Sequence, residues 1–247
     1  MSDVALLHGL GSSFDRNWRA FGWVSGLDAA GYRAVPLALP GHGPGPHATD
    51  PAAYADTSAA VLRQLDRAGG PVDAVGFSVG AEVLLSAAMR RPGTFRRLVL
   101  LGVGEPLLAP APEVSWTLAD EIERGVDGTN GWARLFRRMV AAAGNEMPPI
   151  LAFLRRPRRP MTPETLAAVT VPVLVVLGDE DPAAPGDRLV AALPDARLVT
   201  LPGTDHFTTP ADPRAIAAAV EFLSAGRPPL RRVPPAGGAD GAPGSRR

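Results

Sequence analysis

The sequence predicts an α/β fold: a mostly parallel sheet with helices on both faces, plus an inserted helical cap. Three observations carry this reading. Short apolar runs alternate with longer runs of helical pattern, as βαβ units do. The apolar runs are continuous rather than alternating, as expected of strands buried on both faces. The alternation breaks once, over residues 104–170, and then resumes. With 247 residues and 46% hydrophobic content, the chain is long enough to bury a large core.

In order, residues 4–7 form the first apolar run and end at His8-Gly9-Leu10-Gly11-Ser12-Ser13, a glycine-rich loop. Residues 18–30 read as a helix closed by Gly31. Residues 33–39 read as a strand, and the Pro/Gly run at 40–46 forces a loop. A helix over 51–68 leads to a strand at 72–77 and a helix at 80–91. The next strand is 97–103. Helical candidates then follow one another at 112–124, 129–143, 148–156 and 163–169. A strand at 171–177, a helix at 186–193, a strand at 196–201 and a helix at 210–223 complete the pattern. The core is therefore expected in 1–103 and 171–225, with 104–170 as a helical cap over the strand C-termini. That edge is where ligands bind in open α/β sheets. Residues 226–247, rich in Pro, Gly and Arg, read as a disordered tail.

Composition excludes several kinds of chemistry. Formal net charge is zero, so no electrostatic footprint for nucleic acid stands out. There is no cysteine, hence no disulfide, no thiolate nucleophile and no cysteine-based zinc site. All 25 basic residues are arginine, which removes a phosphate-loop lysine and Schiff-base chemistry. The start of the chain shows no signal-peptide pattern and no apolar run approaches a membrane span, so a cytoplasmic protein is expected.

The chemistry centres on Gly76-Phe77-Ser78-Val79-Gly80, set between an apolar run and a helical run. Strand, sharp turn and helix with a serine at the turn is the context of a G-x-S-x-G nucleophile elbow. A serine nucleophile needs a base, an acid that orients the base, and donors for an oxyanion. His206 lies just after the last strand and is the candidate base. The loop Gly178-Asp179-Glu180-Asp181-Pro182 offers three carboxylates for the acid.

These landmarks resemble the α/β-hydrolase superfamily over nearly all of residues 4–223. The matching features are His8-Gly9, Gly41-His42-Gly43, the elbow at Ser78, the G-x-x-D run ending at Asp181, and His206. The resemblance implies a Ser78, Asp181, His206 triad, with Asp179 and Asp205 as fallback acids. It implies an oxyanion hole from the backbone N–H groups of Leu10 and Val79. It gives His8 and His42 bracing roles beside the site. His47, on a Gly/Pro-rich loop, reads as solvated. No metal and no cofactor are expected. The first strand begins at residue 4, so the sheet is expected to lack the two leading antiparallel strands of fuller members. It should hold about six parallel strands, with an open edge or a partner there.

The expected reaction is cleavage of a small-molecule carboxylic ester through an acyl-enzyme. Thioester, lactone, C–C or perhydrolase-like chemistry with the same triad is the alternative, and a non-catalytic binding protein is a third reading. The apolar residues Trp116, Trp132, Phe136, Met139, Met147, Ile150, Leu151 and Phe153 give the cap an apolar face, some of it lining a pocket for an apolar acyl or alcohol part. Phe77, Trp18 and Leu107 are further candidates for the lining. Arg155, Arg156, Arg158 and Arg159 read as a solvated basic face or as an anion-recognition site. The oligomeric state is left open.

Overall fold

A computed structural model describes residues 1–108, 112–124, 131–158 and 161–225; the tail expected at 226–247 lies outside them. Six strands form one sheet: β1 (Ser2–Leu7), β2 (Tyr32–Leu37), β3 (Val72–Phe77), β4 (Phe95–Leu101), β5 (Val173–Gly178) and β6 (Ala196–Leu201). Their order is β2-β1-β3-β4-β5-β6, and every neighbouring pair is parallel. The expected number and direction of strands therefore hold. Pro36 falls on β2, an edge strand, where a missing N–H need not interrupt a ladder.

Side chains along the buried strands alternate between two cores, as the period of two demands. Ala5, Leu7, Ala74, Leu98, Leu100, Val173 and Val175 pack on one face with helices α2 (Thr57–Leu65), α3 (Val79–Arg90) and α8 (Asp187–Ala191). Val4, Leu6, Val75, Val99, Leu101, Leu174 and Val176 pack on the other with α1 (Trp23–Ala29) and α9 (Pro213–Ser224). Both faces are covered, so the strand sequences can be apolar throughout.

Between β4 and β5 stand α4 (Pro112–Arg124), α5 (Gly131–Ala142), α6 (Met147–Leu154) and α7 (Pro163–Leu166). The first three share a small core of Ala119, Ile122, Phe136, Val140, Ile150, Leu151 and Leu154. The opposite side of α6 joins the main core through Ala152 and Phe153.

Two expected helices are divided. The helix read over 18–30 is a single turn at Asp15–Arg19 followed by α1, because Gly22 takes a left-handed conformation (φ 85°) between them. The helix read over 51–68 is α2 flanked by short turns at Pro51–Tyr54 and Asp66–Ala68. Here Asp56 accepts from the Ala59 amide and starts α2 afresh.

The strand order reverses between β1 and β3, so the loops leaving their C-terminal ends diverge and open a crevice. At its base α3 presses hard on β1. A Cβ built on Gly80 would overlap the carbonyl oxygens of Leu7 and His8; one on Gly76 would come within 2.7 Å of the Ala81 backbone. Gly80→Ala is expected to destabilise the fold by about 1–3 kcal/mol or more, since backbone rather than a flexible side chain must yield. Urea unfolding measures this, and an unchanged midpoint would contradict the packing described.

Candidate active site

Ser78 stands between β3 and α3 with φ 53° and ψ −121°, the one non-glycine residue at positive φ among those described. The turn is held by hydrogen bonds from the Ser78 amide to the Leu101 carbonyl (2.8 Å) and from the Glu82 amide to the Ser78 carbonyl (3.0 Å). Backbone strain at such a point persists only where the surroundings over-determine it, and here two glycines and a central strand do so. The hydroxyl is thereby placed at the C-terminal edge of the sheet.

His206 follows β6 and Asp181 follows β5, and their loops meet over β3. His206 Nε2 lies 3.0 Å from Ser78 Oγ, and His206 Nδ1 lies 2.9 and 3.1 Å from the two Asp181 oxygens. The Asp181 side chain is fully buried and also accepts from the Ala183 amide (2.8 Å). A carboxylate only accepts, so Nδ1 carries the proton and Nε2 is left to accept from the serine. The Phe77 ring lies 5.0 Å from the imidazole and the Phe207 ring 5.7 Å, enclosing it on two sides.

The fallback acids are occupied elsewhere. Asp179 accepts from the Gly203 amide (2.7 Å) and ties the two loops together. Asp205 accepts from the amides of Phe207 and Thr208 and from the Thr208 hydroxyl, shaping the turn that presents His206.

The loop after β1 contributes a backbone donor. The Gly9 amide donates to Asn17 Oδ1 (2.9 Å), the Gly11 amide to His42 Nε2 (2.8 Å) and the Ser12 amide to the Gly9 carbonyl (3.2 Å). The Leu10 amide alone in this turn donates to no group among the described residues, and Leu10 lines the cavity beside Ser78. The Val79 amide lies in the first turn of α3, where N–H groups have no acceptor within the helix.

His42 and His8 brace this loop. His42 Nδ1 donates to the Pro40 carbonyl (3.1 Å), which fixes Nε2 as the acceptor for Gly11. His8 Nδ1 donates to the Gly9 carbonyl (2.9 Å). Burial pushes His8 down to about 4, and burial with the neighbouring His8 pushes His42 down to about 3. Both are neutral in the folded protein at ordinary pH, whereas the unfolded chain binds protons near 6.5. Stability is therefore fully present above that value and falls as pH drops toward 4, by roughly 1.4 kcal/mol per pH unit for each histidine. Urea unfolding across this range checks the slope; a flat profile would contradict it. His47 bonds the Gly43 carbonyl (3.0 Å) rather than being wholly solvated, its ring reaching back over the Gly-rich loop.

Two bracing residues have no sequence motif. Asn17 holds Gly9 as described. Asn145, between α5 and α6, accepts from the Gly43 amide (2.7 Å) and donates to the Ser12 carbonyl (2.9 Å), joining the loops after β1 and β2.

A cavity of about 660 Å³ opens above Ser78. Of the apolar candidates, Phe77, Leu107, Trp132, Phe136 and Met139 line it. Met147, Ile150 and Leu151 pack into the α4–α6 core instead, and Phe153 into the main core. Trp18 is no part of the lining: it is buried among Trp23 and Leu27 on the far face of the sheet. The Trp116 side chain lies outside the described residues. The basic run does not form one solvated face. Arg155 pairs with Asp120 and Glu123 on α4, while Arg156 and Arg158 turn inward to Glu82 and line the cavity. Arg159 is not among the described residues. Glu82, four residues after Ser78 on α3, faces the same side, and that spacing was its only sequence signal.

A profile of the Alpha/beta hydrolase family matches residues 4–219. The chain is 31% identical to the pimeloyl-[acyl-carrier protein] methyl ester esterase of Aromatoleum aromaticum, covering 91% of this chain and 98% of that protein. It is 26% identical to the protein of the same name from Nitrosomonas europaea, over 71% and 78% of the two chains. Among solved structures, NosK from Streptomyces actuosus superposes with a TM-score of 0.69 at 22% identity, over 90% of this chain and 97% of that one. With the family profile matching residues 4–219 of the 247, this chain belongs to the alpha/beta hydrolase family.

Proposed function

We propose that the protein cleaves a small-molecule carboxylic ester, with Ser78 as nucleophile, His206 as general base and acid, and Asp181 as the residue that orients it. The observation that carries this reading is the unbroken hydrogen-bonded line from Ser78 Oγ through His206 to buried Asp181, beneath a cavity. Ser78 Oγ attacks the ester carbonyl as His206 Nε2 takes its proton. The tetrahedral oxyanion is held by the Leu10 and Val79 amides. Collapse expels the alcohol, which receives the proton from His206. Water, deprotonated by His206, then releases the acid and restores Ser78.

The α4–α6 residues at the cavity wall serve, in this reading, as a cap that shapes the site for an apolar acyl or alcohol part. The two relatives named as methyl ester esterases favour an ester over a thioester, lactone or C–C bond. A p-nitrophenyl ester series of rising acyl length tests the proposal. Turnover with a chain-length optimum is expected; no turnover of any member would contradict it.

A further inference from the structure

The turn that carries the Leu10 amide is held from three directions, and one of them is the segment between α5 and α6. Gly9, Leu10, Gly11 and Ser12 form a tight turn closed by the Ser12 amide on the Gly9 carbonyl (3.2 Å), with Gly11 at φ 66° in its third position. The Leu10 N–H stands at the second position, which the turn's own hydrogen bond leaves unused. Its direction is therefore set by whatever holds the other three residues. Asn17 holds the Gly9 amide at the entrance, and His42 holds the Gly11 amide in the middle. Asn145 holds the exit, its Nδ2 donating to the Ser12 carbonyl (2.9 Å). Oδ1 of the same side chain accepts from the Gly43 amide (2.7 Å), next to His42. Two of the three anchors thus run through one side chain.

That side chain is itself fixed in place. α5 ends in a Schellman motif: Gly144 is left-handed (φ 77°), its amide bonds the Ala141 carbonyl (3.0 Å), and the Asn145 amide bonds the Val140 carbonyl (3.1 Å). Asn145 is 8% exposed, and a buried side-chain amide needs an acceptor at one end and a donor at the other. Ser12 and Gly43 supply them. α5 also presses on the turn directly. Arg16 Nε reaches the Ala142 carbonyl (3.1 Å), and a Cβ built on Gly11 would come within 2.7 Å of Val140.

We infer that Asn145 is a positioning residue for the oxyanion hole. It fixes the direction of the Leu10 N–H, so the α5–α6 corner takes part in stabilising the transition state as well as shaping the cavity. The catalytic part of this rests on the proposed function; the anchoring of the turn does not. Donors must be aimed in advance at the developing charge, and a misplacement of about 1 Å is enough to cost roughly 10²-fold in rate.

Two variants test this. Asn145→Ala removes both hydrogen bonds. Asn145→Asp keeps the shape and the bond from Gly43 but sets an oxygen against the Ser12 carbonyl. Each should lower kcat for a p-nitrophenyl ester by about 10–100-fold, with KM within about threefold of wild type. Matching thionoesters tie that loss to the oxyanion. They place sulfur, a larger and weaker acceptor, where the oxyanion oxygen would form, and so gain less from the N–H donors. The ester-to-thionoester rate ratio should fall about tenfold in both variants, the scale of one hydrogen bond. Loss of folded protein alone would lower both rates alike. Amide hydrogen exchange without substrate is the second reading. Exchange at Gly11 and Ser12 should speed by about tenfold or more while β3 and α3 keep their protection. An unchanged kcat in both variants, a fall of ester and thionoester in step, or unchanged exchange at Gly11 and Ser12 overturns the inference. A wild-type protein that turns over neither ester sinks the hydrolase reading alone, and the exchange rates still decide the anchoring.

Discussion

Ser78→Ala is expected to lower kcat for an activated ester by about 10⁵–10⁶-fold while leaving the fold intact. The size follows from loss of the covalent route, since removing the nucleophile of a comparable triad costs on the order of 10⁶. The residual rate comes from binding and the oxyanion donors alone. The substitution removes one oxygen from a partly enclosed turn and breaks only the hydrogen bond to His206. Secondary structure and the unfolding midpoint should therefore stay near wild type. Single-turnover kinetics with a p-nitrophenyl ester, beside circular dichroism, separates lost chemistry from lost structure. A loss of less than tenfold would remove Ser78 from the mechanism.

Asp181→Asn carries the second large effect, a fall in kcat of about 10⁴-fold. The amide keeps the shape of the carboxylate in its buried position. It can instead donate to Nδ1, which favours the tautomer with its proton on Nε2, facing the serine. His206 then points the wrong atom at Ser78 without moving. Asp179→Asn and Asp205→Asn provide the comparison, because both side chains brace loops and neither touches the imidazole. Their activity should remain close to wild type. If Asp179→Asn fell as far as Asp181→Asn, the acid would be wrongly assigned.

The residues that form the Ser78, His206 and Asp181 line were legible because each sits at the end of a strand that the sequence marks clearly. Residues 72–77 and 173–178 are buried on both faces, and such strands read as continuous apolar runs. The elbow is local: Gly76 and Gly80 stand where a side chain would meet backbone. What escaped the sequence depends on contacts between distant segments. Glu82 meets Arg156 and Arg158 across more than 70 residues, and Asn145 reaches Ser12 across 133. No local pattern encodes such meetings, so a run of arginines looked alike although Arg155 faces α4 and Arg156 faces the cavity. Trp18 misled for a related reason. Its neighbour Asn17 turns toward Gly9 in the loop beside the site, while the indole turns to the opposite core. The helix over 18–30 failed at Gly22, whose left-handed conformation is equally compatible with a helix end or a turn.

Covalent capture tests the central claim most directly. The wild-type protein is mixed with a fluorophosphonate, digested and mapped by mass spectrometry. One adduct is expected, on the peptide bearing Ser78, with labelling abolished in Ser78→Ala and strongly slowed in Asp181→Asn. Undiminished labelling of Ser78→Ala, or an adduct on any other residue of the wild-type protein, would contradict the account.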